Sequence, residues 1–390
     1  MASAGPAVSG TWDVIVVGVG AMGSAVAHHA AARGLRVLAL EQFTLGHDRG
    51  SSHGLTRIIR LAYFEHPAYV PLLRRAFALW RALEADTGTS LLHVTGSLDV
   101  GWAGSPVFEG SRRSCEAHGL THEVLDADAL ARRVPAWRPT DDACAVWQPD
   151  GGFLTPERAI AANVAQARAY GADVREGVTV GGWSAHEGTV MVSTDAGVFS
   201  AGQLVLSAGA WMGDLHPALA SRLTPERQVL GWFAIAPDAR AAFAPANFPV
   251  FVLEAREGLY YGFPEFDVPG FKIGRYHHLG EVVHPDDAPR ACDARDEAAL
   301  RDAVGRWFPG ANGPLQRSAT CLFTNTSDGH FLIDRAPDAP EVLLLSPCSG
   351  HGFKFASVIG EVAADLLTDG RTAHDVALFR RDRLLAPTRG

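Results

Sequence analysis

Asp13-Val14-Ile15-Val16-Val17-Gly18-Val19-Gly20-Ala21-Met22-Gly23, running on to Glu41, decides the fold. Val14 to Val17 form an apolar run rich in β-branched residues, as a strand covered on both faces requires. Gly18, Gly20 and Gly23 complete G-x-G-x-x-G. The first glycine permits the tight turn, the second lets a pyrophosphate approach the backbone, and the third lets helix pack on strand. The free N–H groups and the helix dipole then face the phosphates. A second strand, Leu35 to Leu40, ends at Glu41, about 20 residues past the glycines, where a carboxylate can accept from a ribose hydroxyl. Strand, turn, helix and terminal acid together give a dinucleotide site, without choosing between NAD and FAD.

The rest of the chain bounds the possibilities. A length of 390 residues suits two domains, and 47% hydrophobic with 20% charged residues is ordinary for a globular protein. The formal charge of -9 argues against a nucleic-acid surface. No apolar run reaches the roughly 18 residues that span a membrane. Met1 to Trp12 lack the basic start and apolar core of a signal peptide and read as a frayed end. The five cysteines, Cys115, Cys144, Cys292, Cys321 and Cys348, are odd in number and far apart, which suits a reducing cytoplasm and gives no metal site.

After Glu41 comes a loop of small residues, then Thr56-Arg57-Ile58-Ile59-Arg60. The loop falls near the carboxyl ends of the strands, where open α/β sheets bind ligands. A half-buried guanidinium there suits a carboxylate or phosphate. Pro67 to Glu84 has the apolar spacing of a core helix. Leu92 to Trp102 reads as a strand pair, followed by helical segments at Ser111 to His118 and Asp126 to Arg133, with no sign of chemistry. Thr155-Pro156-Glu157 begins another helix with Thr155 as cap. Leu204 to Leu206 is a second buried strand, so the chain leaves the nucleotide sheet and returns, as larger flavoprotein domains do.

From Gln228 to His278, alternating strands separated by Gly, Pro and Asp turns describe an antiparallel sheet with one face open to a ligand. Tyr260, Tyr261, Lys272, His277 and His278 lie on it. Asp296 to Phe308 is a further amphipathic helix. The strand Val342 to Leu345 leads into Ser349-Gly350-His351-Gly352-Phe353-Lys354 and a closing helix, a second turn with N–H groups free to hold an anion.

These stretches, with Tyr260-Tyr261-Gly262-Phe263-Pro264 and the Cys321 segment with His330-Phe331, resemble the monomeric sarcosine oxidase and N-methyl-tryptophan oxidase family of flavin amine oxidases, from about Trp12 to about Phe379. Taken singly, Cys321 is a small core residue; the resemblance implies that its thiol carries FAD covalently. It also implies that Arg60 and Lys354 hold the substrate carboxylate, and that Arg57 and Thr56 lie close to the flavin ring. Lys272 would activate dioxygen, Tyr261 and His277 would line the substrate pocket, and His351 would sit near the ring. Val180 and Trp211 would line the FAD site. Lys272 to Gly280 runs one residue longer than in sarcosine oxidases, and Cys348 and Val252 replace phenylalanine and methionine.

The expectation is therefore an α/β fold. A discontinuous Rossmann-like FAD domain (12–90, 150–220, 320–385) would join a substrate domain on a mainly antiparallel sheet (91–149, 221–319). The protein would be a cytoplasmic, monomeric oxidase of a secondary or N-methylated α-amino acid, with dioxygen as acceptor, peroxide as product, and neither nucleic-acid nor membrane partners. Oxidation or dehydrogenation of a cyclic or primary amino acid, such as pipecolate or proline, is the alternative; a non-catalytic flavin-binding subunit is the more distant one.

Overall fold

The structure, a computed structural model, describes residues 8–385. Met1 to Ala7, the first part of the expected frayed end, lie outside the described residues. From Val8 the chain departs from that expectation: Val8–Val17 is one strand, with Val8 opposite Val198 in a parallel pair. The partner strand Gly197–Leu206 is equally long, and its backbone groups extend the pairing past Asp13.

The first sheet runs in the order Val180–His186, Thr189–Thr194, Gly197–Leu206, Val8–Val17, Val37–Leu40, Asp173–Arg175. Ala339–Ser346 adds in parallel to the far half of Gly197–Leu206, and Leu332–Ala336 pairs with it antiparallel. The central parallel strands bury Val14, Ile15, Val16, Leu38, Leu204 and Leu343 completely, as covering both faces demands. Four of them finish side by side, at Val17, Leu40, Leu206 and Ser346, and this edge opens on the cavity described below. The helix Ala21–Ala32 crosses behind, and the closing helix Ala356–Thr368 packs against it so tightly that a Cβ on Gly360 would meet Ala25 Cβ at 2.8 Å.

The second sheet has the order Leu315–Asn325, Thr224–Phe233, Phe271–Arg275, Gly258–Phe263, Val250–Ala255, Ser97–Trp102, Ala143–Gln148, Glu123–Asp126. Every pair is antiparallel except Val250–Ala255 with Ser97–Trp102. One face is an aromatic core containing Phe233, Phe243, Phe248, Phe251, Phe271 and Phe308, closed by the helix Ala294–Trp307. The other face looks toward the first sheet.

Leu92–Val94 and Ser97–Trp102 are both strands, but they do not pair with each other. Leu92–Val94 joins a small sheet with Gly152–Leu154 and Arg57–Ile59, while Ser97–Trp102 enters the second sheet. Gly96, at φ +75°, turns the chain between them. Thr155 does occupy the cap position of the helix Pro156–Ala169, but its hydroxyl faces the Leu91 carbonyl at 3.5 Å instead of the helix.

Candidate active site

A continuous cavity of about 380 Å³ runs from the Gly18–Gly23 turn, across the carboxyl edge of the first sheet, to the open face of the second. Its near end is made of backbone. Gly18 has φ +84°, and a Cβ on Gly23 would lie 1.8 Å from the Gly18 carbonyl oxygen, so helix and turn can meet only with glycine there. A Cβ on Gly20, by contrast, would project into open space, the room a pyrophosphate needs. Glu41 is buried beside it, its carboxylate accepting the Val19 N–H at 2.8 Å and the Phe43 N–H at 3.1 Å. Burial pushes this carboxyl upward, but the His47 ring and the two N–H groups outweigh it and hold it below the usual range. Glu41 thus presents an ionised carboxylate, able to accept a hydrogen bond from a hydroxyl. Val180 and Trp211 line the same end, the Trp211 indole donating to Asp286 at 2.8 Å. The chain therefore fits an unphosphorylated dinucleotide here.

The far end is made of side chains. Arg60 is 2% exposed and lines the cavity. Its Nη2 donates to both Glu65 oxygens at 2.9 and 3.1 Å, Nη1 donates to the Ala62 carbonyl, and Nε lies 3.5 Å from Asp99. The guanidinium also stands over the Tyr63 and Phe64 rings. An entering carboxylate must compete with Glu65 for this group. Lys354 lines the cavity alongside; its Nζ donates to the His351 carbonyl at 2.7 Å, and its own carbonyl accepts the Trp80 indole N–H at 2.9 Å. Burial pulls its ammonium down to about 7, with Arg60 adding to the effect.

The 349–352 turn closes the same wall, with Ser349 at φ +43° and Gly350 at φ +76°. His351 Nε2 faces the Gly329 carbonyl at 2.9 Å, so that nitrogen carries the hydrogen and Nδ1 accepts from the Tyr63 hydroxyl at 2.6 Å. Burial pushes this imidazole down to about 4 and keeps it neutral. Gly352 packs so closely that a Cβ would lie 1.6 Å from the Pro347 carbonyl.

Cys321, on the strand Leu315–Asn325, and Arg57 both line the middle of the cavity. Burial pushes the Cys321 thiol up, while Arg57 and Lys272 pull it down. Arg57 donates to the Thr56 and Ser51 carbonyls at 2.9 and 2.7 Å. Lys272 and Thr56 do not line the cavity. Lys272 Nζ lies beneath the loop, donating to the Gly54 carbonyl at 2.6 Å and to the carbonyl and hydroxyl of Thr56 at 2.9 and 2.8 Å. The ammonium is 4.3 Å from the centre of the Phe263 ring, which does line the cavity. Burial holds this amine well below its ordinary range, and Arg57 adds to the shift. From the other side, Glu157 accepts the N–H groups of Gly54 and Leu55 at 2.6 and 3.1 Å.

Tyr261 lines the cavity, as expected, but His277 does not. The strand alternation that carries Lys272 and Gly274 reaches Tyr276, which lines the cavity and donates its hydroxyl to the Ser349 carbonyl. The chain then enters a left-handed turn, with His277 at φ +59° and His278 at φ +35°. His277 faces outward onto Glu226 at 2.8 Å, and His278 is buried against Asp296. Three further charged residues had no role assigned from sequence: Glu65, Asp99 and Glu157. Glu65, five residues after Arg60, carried the one readable signal.

The model of the FAD dependent oxidoreductase family matches residues 13–366. The monomeric sarcosine oxidase of Streptomyces avermitilis is 41% identical over 97% of this chain and 99% of that protein. The N-methyl-L-tryptophan oxidase of Yersinia pestis is 34% identical over 94% of this chain and 98% of that protein. Among solved structures, NikD, an amino acid oxidase of nikkomycin biosynthesis, superposes with a TM-score of 0.81 at 28% identity, covering 95% of this chain and 98% of that one. With its dinucleotide turn, its second sheet and these relatives, the chain belongs to the FAD-dependent oxidoreductase family.

Proposed function

We propose that the protein is an oxidase of a secondary or N-methylated α-amino acid, with dioxygen as the electron acceptor. One observation carries the reading: two buried cations, Arg60 and Lys354, line the same cavity as the dinucleotide turn and Cys321. A carboxylate held between them fixes the amino acid's α-carbon and nitrogen against the middle of the cavity. Bound FAD would supply the two-electron redox chemistry between the amine and dioxygen, which would leave an imine for water to hydrolyse.

The chain's own residues orient and polarise. Glu41 and the Gly18–Gly23 turn hold the adenosine and pyrophosphate. Cys321 is the attachment point for the ring, and Arg57, which donates to the Thr56 and Ser51 carbonyls and pairs with no carboxylate among the described residues, keeps positive charge beside that thiol.

 The open face of the second sheet, with Tyr261, Tyr276, Val252, Leu259 and Phe323, receives the substrate side chain. Lys272, a buried cation under the 54–56 loop, serves the reaction with dioxygen by stabilising the negative charge that develops there. Arg60, Lys354, Tyr261 and Arg57 act on the substrate and ring, and Gly350, His351 and Gly352 shape the wall beside them.

Two domains, one on each large sheet, remain the reading, with Leu92–Val94 joined to the small sheet of Arg57–Ile59 and Gly152–Leu154 instead of the substrate sheet. The strand Leu315–Asn325 pairs in the second sheet, so we put the last boundary near 326 instead of 320. The five cysteines are free, which suits the cytoplasm, and no helix among the described residues is long and apolar enough to cross a membrane. A monomer is the expected state.

The test is anaerobic titration of the yellow protein with a panel of N-methyl and cyclic amino acids. Bleaching by N-methyl amino acids, with peroxide formed when air is admitted, is the expected result. Bleaching by no member of the panel refutes the reading. Flavin that leaves the protein on acid precipitation refutes attachment through Cys321.

A further inference from the structure

Asp99 is buried without the bonds that a buried carboxylate ordinarily has. It lies on the strand Ser97–Trp102, it is 0% exposed, and neither of its carboxyl oxygens has a hydrogen-bond partner among the described residues. The chain satisfies such a group elsewhere. Asp296 is also buried, and it receives two bonds from Arg227, one from the Asp293 N–H and one from His278. An ionised carboxylate so poorly bonded is strongly disfavoured in a buried place.

Its surroundings explain what offsets that cost. The 60–65 segment brings Arg60, with Nε 3.5 Å away, and Glu65. The turn at 353–355 brings Lys354, and the helix Pro106–His118 brings Cys115 and the Ser111 hydroxyl. The flanking strands put only Val146 and Val252 opposite it. The buried cluster thus holds two cations and two carboxylates. A substrate carboxylate entering between Arg60 and Lys354 adds a third negative charge in a place poor in water. Glu65 has two close bonds from Arg60 to lose on protonation; Asp99 has only the Arg60 Nε at 3.5 Å and the nearby Ser111 hydroxyl.

We propose that Asp99 takes up one proton from solvent when a carboxylate occupies the clamp of Arg60 and Lys354, and returns it when the ligand leaves. The inference rests on the reading of Arg60 and Lys354 as that clamp. Asp99 does not line the cavity; it acts through Arg60 and is a positioning residue. Burial, opposed by Arg60, pushes its carboxyl up to about 7, so near neutrality the proton is exchangeable. The unliganded clamp then keeps its charges balanced, and the liganded clamp regains that balance without moving either cation.

The experiment uses the flavin-loaded protein and two inert probes, acetate and acetamide. Calorimetric titration at pH 8 in phosphate and in Tris reads the protons exchanged. Uptake of close to one proton per acetate is expected, with acetate affinity falling about tenfold per pH unit above neutrality, the slope for one linked proton. Asp99→Asn should remove both the uptake and the slope. Lys354→Arg, which keeps the charge but cannot titrate in this range, should keep both. Acetate binding by the unaltered protein with no proton uptake overturns the proposal alone. So does uptake that survives in Asp99→Asn or disappears in Lys354→Arg, since Lys354 is then the group that titrates. Acetate that binds no better than acetamide overturns the clamp reading and this proposal with it.

Discussion

The two ends of the cavity are built from different materials. At the Gly18–Gly23 end the wall is mostly the backbone of one stretch of chain, with a left-handed glycine, a helix start and the Glu41 carboxylate, to which Val180 and Trp211 add from elsewhere. At the Arg60 end it is side chains: Arg60, Glu65, Tyr276 and Lys354 arrive from three separate segments, and Asp99 stands behind Arg60 from a fourth. A backbone site is defined by shape and tolerates no added atoms. A side-chain site is defined by charge balance and tolerates no uncompensated deletion. The same cavity therefore fails in two different ways when altered.

Arg60→Ala tests the difference most severely. It removes the only ion-pair partners of Asp99 and Glu65 among the described residues, and breaking buried pairs this way costs about 3–5 kcal/mol. The variant should unfold at a clearly lower temperature and bind carboxylate inhibitors far more weakly. An unchanged melting temperature would mean that the cluster is not held by charge balance. Gly23→Ala tests the other end. The added methyl meets the Gly18 carbonyl and should cost about 1–3 kcal/mol, expressed chiefly as lost flavin. Normal flavin content with altered substrate affinity would contradict the division between the two ends. The mildest change is Tyr276→Phe, which deletes one buried hydroxyl bonded to Ser349. It should cost about 1 kcal/mol and shift substrate affinity only severalfold. An effect as large as that of Arg60→Ala would move Tyr276 from pocket wall to charge cluster.

The contrast also separates what was legible in the sequence from what was not. The dinucleotide end could be read because its parts are neighbours along the chain and each has a mechanical reason to be where it is. The second sheet showed itself through alternation. Asp99 was hidden by that same rule. Between Leu98 and Val100 it reads as the outward side of a half-exposed strand, but this strand is interior to an eight-stranded sheet and both its faces are covered. Tyr276 and His277 differ by one residue, and the left-handed turn that separates their directions leaves no clear mark on the residue types. Leu92–Val94 and Ser97–Trp102 looked like partners because they are adjacent, yet Gly96 sends them to different sheets. Arg60 and Lys354 were identified through the family resemblance; burial and ion pairing, which give them their character, are properties of tertiary packing alone.

Gly54 gives its N–H to Glu157, on a helix against the first sheet, and its carbonyl to Lys272, on the second. One peptide residue without a side chain is thus gripped by an anion from one layer and a cation from the other. Pulling the layers apart would strand a half-buried carboxylate on one side and a buried ammonium on the other, the second a steep penalty. This loop therefore joins the polar contacts, such as Tyr276 with Ser349, that tie one layer to the other. Part of the coupling between the halves is thus carried by a glycine, through its backbone alone.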